Sequence, residues 1–73
     1  MSDILDVLNY RVGGAYYATL PEAKASARED VCISAQEGQD SCRQVIDVIT
    51  GKVVCQYLSI KGVRKHKVIM RTP

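Results

Sequence analysis

Nothing in this 73-residue chain approaches the run of about 18 apolar residues that crosses a bilayer, and its first residues lack the basic-then-apolar layout of a secretion signal. A cytoplasmic protein with no membrane partner is expected. Cysteine is scarce and odd in number, with Cys32, Cys42 and Cys55 and no Cys-x-x-Cys pair. A disulfide framework is therefore excluded for a chain in a reducing compartment, where such residues most often serve as small buried hydrophobes. The same spacing speaks against zinc. Nine, twelve and ten residues separate Cys32, Cys42, Cys55 and the single histidine, His66, so no first chelate is present.

Catalytic constellations are missing as well. His66 lies among Arg64, Lys65 and Lys67, in a segment with no acid to partner it, and general acid–base work needs groups held in mutual reach. Gly13-Gly14, the one adjacent glycine pair, has neither the spaced glycines of a dinucleotide fingerprint nor the lysine and hydroxyl of a mononucleotide loop. We expect no enzyme, no catalytic residues, no cofactor and no metal.

Acid is absent from one end of the chain. Residues 1–47 hold all eight acids against four bases, a balance of −4, whereas residues 48–73 hold six bases and no acid. A chain this short buries only about 60% of the surface its unfolded form exposes. One small domain with a thin stability margin is implied, completed by self-association into a homodimer in some settings.

Local signals give the order of elements. Gly-Gly suits a two-residue hairpin loop, which sets Val12 opposite Ala15, Arg11 opposite Tyr16 and Tyr10 opposite Tyr17. Leu8, Tyr10, Val12, Ala15 and Tyr17 then share an apolar face, and Arg11 and Tyr16 a wet one. Thr19-Leu20-Pro21-Glu22 fits a capping box with proline in the first turn. The helix that follows carries Leu20, Ala23, Ala27 and Val31 on one side. Residues 34–42 read as a loop. From Arg43 to Leu58 the pattern is strand, turn, strand with Thr50-Gly51 at the apex.

An even-length loop there pairs Val48 with Val53 and Ile46 with Cys55, which collects Ile46, Val48, Val53, Cys55 and Tyr57 on the core face. A three-residue loop mixes Ile46 and Val54 with Lys52 and both glutamines, so burial favours the even register. In the even register Val45, Ile49 and Val54 emerge on the opposite side as a protein-interface patch. Gly62 breaks the chain, Val63 to Met70 form a fifth strand, and residues 71–73 form a frayed tail. The opening residues are either a turn capped by Ser2 or a lead into the first strand.

The fold class expected is α+β: a small antiparallel sheet, ββαββ with a fifth C-terminal strand, and one α-helix packed on one face. In size and layout the chain resembles small proteins of phages and mobile elements, some of which bind and inhibit host defence or transcription complexes. That resemblance implies an inhibitor-like, non-enzymatic protein that binds a host protein or nucleoprotein complex. The alternative is direct DNA or RNA binding: Lys61, Arg64, Lys65, Lys67 and Arg71 neutralise phosphates, with Arg11 and the stacking ring of Tyr16 assisting.

Overall fold

The computed structural model describes residues 8–73, and the expectations for the opening residues lie outside the described residues. The elements are β1 (Tyr10–Val12), β2 (Ala15–Tyr17), α1 (Leu20–Gln36), β3 (Ser41–Asp47), β4 (Val53–Lys61) and β5 (His66–Arg71). The strands form one antiparallel sheet in the order β2-β1-β3-β4-β5. Helix α1 packs on one side of it, so the α+β class read from the sequence holds.

The first hairpin has the expected register, with Tyr10 opposite Tyr17, Arg11 opposite Tyr16 and Val12 opposite Ala15. Only Gly13 takes a positive φ, +59°, where a side chain would be strained. Val12 is buried, and Tyr10 and Tyr17 pack on the core, but Leu8 and Ala15 are exposed. The Tyr17 hydroxyl shares a hydrogen bond with Ser26, fastening the edge hairpin to the helix.

Thr19 caps α1: its Oγ1 accepts from the Glu22 amide at 3.4 Å and donates to the Glu22 carboxylate at 3.0 Å. Ala23, Ala27 and Val31 are buried, and Leu20 packs beside them, as the spacing predicts. Small side chains let the helix backbone lie close to the sheet, at the cost of little apolar area per residue. The helix runs past the expected boundary, taking in Ser34, Ala35 and Gln36. It closes when the Gly38 amide donates to the Ala35 carbonyl at 3.1 Å and the Gln39 amide to the Ser34 carbonyl at 2.8 Å.

The central hairpin differs from expectation. Four residues, Val48 to Gly51, loop between Asp47 and Lys52, whose carbonyl accepts from the Asp47 amide at 2.9 Å. The Asp47 carboxylate holds this loop by accepting from the amides of Ile49 at 2.9 Å and Thr50 at 3.3 Å. Ile46 pairs with Val53, Val54 has no cross-strand partner, and pairing resumes as Val45 with Cys55 and Gln44 with Gln56. One extra residue in β4 makes a β-bulge and reverses the parity of the rest of the strand.

The bulge corrects both face assignments. Val45, expected at an interface, is wholly buried against α1, and Val54 also packs on the core. Ile46 and Val53 are instead on the other side, and Val48 is exposed at the turn. Cys55 and Tyr57 are buried as expected. The fifth strand begins at His66 rather than Val63, and Arg71 pairs with Gln56 instead of fraying.

These placements set separable outcomes in denaturant unfolding. Val45→Ala should lower stability by about 2 kcal/mol through lost transfer energy and a residual cavity. Ile49→Asp, at a position 78% exposed, should stay within about 0.5 kcal/mol of the parent. At the first turn, Gly13→Ala should cost about 1–2 kcal/mol from the left-handed φ, and Gly14→Ala markedly less.

Candidate functional site

Cross-strand neighbours share a face, so the buried residues Val12, Val45, Cys55, Tyr57 and Ser59 define the side covered by α1. Ser59 belongs to this side because its hydroxyl donates to the Gln39 carbonyl at 2.8 Å. The opposite, open side carries Tyr16 on β2, Arg11 on β1, Cys42, Gln44 and Ile46 on β3, and Val53, Gln56, Leu58 and Ile60 on β4. On β5 it carries Lys67, Ile69 and Arg71, opposite Ile60, Leu58 and Gln56.

Composition of this side is distinctive. Its strands contribute the bases Arg11, Lys67 and Arg71 and no acid, around a half-buried centre of Ile46, Val53, Leu58, Ile60 and Ile69. The described acids all lie elsewhere: Glu22, Glu29 and Asp30 on α1, Glu37 and Asp40 just after it, and Asp47 in its turn. Two shallow recesses adjoin across Gln44. One, of about 360 Å³, is lined by Arg11, Gly13, Cys42, Arg43 and Ile46, and the other, of about 250 Å³, by Val53, Gln56, Arg71, Thr72 and Pro73.

Sequence-derived site residues are distributed over separate places. Val45, Ile49 and Val54 form no common surface: two are in or against the core and Ile49 stands in the β3–β4 turn. Arg11 and Tyr16 do sit side by side, and Arg11 Nη1 donates to the Gly13 carbonyl at 3.0 Å. They occupy β1 and β2, however, whereas Lys67 and Arg71 are on β5 at the far edge, roughly 14–19 Å away across successive strands. Lys61, Arg64 and Lys65 gather at the β4–β5 turn.

No protein family matches this chain, and comparison with curated proteins and with solved structures finds no match. Function must be argued from the surfaces themselves. Among the described residues no three histidine, cysteine, aspartate or glutamate side chains are grouped to hold a metal ion. Cys42 and Cys55 lie on opposite sides of the sheet. No described helix is long and apolar enough to cross a membrane.

Sequence reasoning missed the centre of the open face, Leu58, Ile60 and Ile69, together with the two glutamines. A signal was present: β4 reads VVCQYLSIK, with apolar residues at both odd and even positions. Such a strand has two faces that favour burial, although only one is covered by the helix.

Burial has one titratable consequence. It pushes the Cys55 thiol above its ordinary range, partly opposed by the Lys24 ammonium. It raises the Tyr57 phenol in the same way, with Cys55 adding to the rise and Arg28 opposing it. The folded chain therefore keeps these protons when the unfolded chain, with thiol and phenol values of about 8.5 and 10, releases them. The contribution of these groups is intact below about pH 8 and declines as pH rises further. Thermal melts from pH 7 to 10.5 should show this decline, and Cys55→Ala should make it shallower, though starting from a lower melting temperature.

Proposed function

We propose that this chain is a non-enzymatic, inhibitor-like interaction protein that docks its open sheet face on an acidic surface of a host protein or nucleoprotein complex. The observation that carries this reading is the acid-free face itself, with an aliphatic centre flanked by Arg11, Lys67 and Arg71. Desolvating the aliphatic centre supplies affinity, and the flanking bases supply orientation and partner choice.

Charge argues against a second copy as the occupant. Stacking two of these faces gathers the bases of both into one interface with no acid on the strands to pair them, and unpaired buried charge is costly. Single-stranded nucleic acid fits this face poorly too. Sheets that bind single strands present aromatic rings for stacking, and here the face has one ring, Tyr16, on a three-residue edge strand.

The test uses two amphipathic helical peptides with the same leucine stripe, one flanked by glutamates and one by lysines. The acidic peptide should bind, more weakly as salt rises, and Ile69→Glu should weaken it by about tenfold or more, equivalent to about 1.4 kcal/mol. Sedimentation should show a monomer. Equal binding of both peptides, or a concentration-dependent dimer dissociated by Ile69→Glu, would overturn the proposal.

A further inference from the structure

The β4–β5 hairpin ends in a tip that extends past the open face and shares only Lys67 with it. Lys61 pairs with His66, and the Gly62 amide donates to the Lys65 carbonyl at 2.9 Å, which leaves Val63 and Arg64 as the two apex residues. A Cβ at Gly62 would stand 2.6 Å from the Lys65 carbonyl oxygen, so this closure needs glycine. The base of the turn is anchored: His66 Nε2 lies 2.7 Å from Asp40 Oδ1, with the His66 side chain 12% exposed.

Val63 is fully exposed, at 102% of its reference area. Folding gains nothing from an apolar side chain left in water, and this one is flanked along the chain by Lys61, Arg64, Lys65 and Lys67. The bases also lie on both sides of the ribbon. Lys61 is opposite His66 on the helix side, and Lys67 is opposite Ile60 on the open side.

A two-stranded ribbon with positive charge on both faces and an apolar apex is complementary to a groove walled by phosphates on each side. B-form DNA offers grooves that admit such an element, and apolar tips wedge against or between base pairs there. The deep, narrow major groove of A-form RNA excludes it. We propose that the β4–β5 tip is a second binding site, sharing only Lys67 with the open face, whose ligand is double-stranded DNA, with Lys61, Arg64, Lys65 and Lys67 on the phosphates and Val63 against the base edges. It does not depend on what the open face binds. Together the two surfaces fit a partner that is itself a nucleoprotein.

The experiment is a fluorescence-anisotropy titration of the whole chain against a labelled duplex of mixed sequence at several salt concentrations. Binding should weaken steeply with salt, and Arg64→Gln and Lys65→Gln should each reduce the log–log slope by about one. Val63→Ser should weaken binding by about tenfold, the worth of burying one such side chain, without changing the slope. Ile46→Ser, on the open face but two strands away from β5, should leave DNA binding intact, which separates this site from the protein-docking one. Absence of binding at low salt overturns the proposal. So does tighter binding to the corresponding single strand, indifference to Arg64→Gln and Lys65→Gln, or binding to phosphatidylserine vesicles in place of duplex. Circular dichroism of each variant confirms that a loss does not come from unfolding.

Discussion

Val54, left without a cross-strand partner between Val53 and Cys55, sets the side on which the neighbouring stretches of β3, β4 and β5 emerge. Because side chains alternate, a one-residue change of register exchanges every inward residue for an outward one. The bulge puts Val45, Cys55, Tyr57 and Ser59 under the helix and leaves Gln56, Leu58 and Ile60 on the open side. It also lets Val53 join Ile46 on the open face while Val54 packs inward. The register carries on through β4 to β5, which is why Lys67 and Arg71 accompany Ile69.

The helix makes this register the favourable one. Its buried stripe is short and small, Ala23, Ala27 and Val31, so the sheet beneath it must supply larger partners at close range. Val45, Cys55 and Tyr57 do that. Two local ties keep the helix in position: the Tyr17–Ser26 hydrogen bond at the hairpin edge, and the Ser59 hydroxyl on the Gln39 carbonyl just after the helix. The Arg43–Asp30 ion pair, at 3.4 Å and half exposed on each side, adds little by comparison.

Among the described residues one helix covers one face of the five-stranded sheet, and no described element covers the other. Charge follows the same division. The described acids are on the helix, its C-terminal loop and the Asp47 turn, whereas among the described residues the open face and the β4–β5 tip carry no acid apart from the Asp40–His66 contact at the base of that tip. An approaching anionic surface therefore meets an oriented molecule, although the net charge is only +2. The two proposed sites differ in kind. The sheet face relies on apolar area with a charged rim, and the tip relies on charge with one apolar apex.

Short-range chemistry was legible in the sequence. Thr19 and Glu22 are three residues apart and could satisfy each other within one turn; the Gly13-Gly14 hairpin and the alanine stripe of α1 follow from equally local rules. The α+β class and strand count followed from these signals. What the sequence left open was parity in β3 and β4, because both strands are apolar enough to be buried on either side. Burial alone favoured an unbulged even loop. Only the tertiary structure decided otherwise, because the Asp47 carboxylate holds a four-residue turn and the helix draws Val45 and Cys55 together beneath it. That choice moved Val45 and Val54 from the surface to the core side and put Ile46 and Val53 on the open face beside Leu58, Ile60 and Ile69.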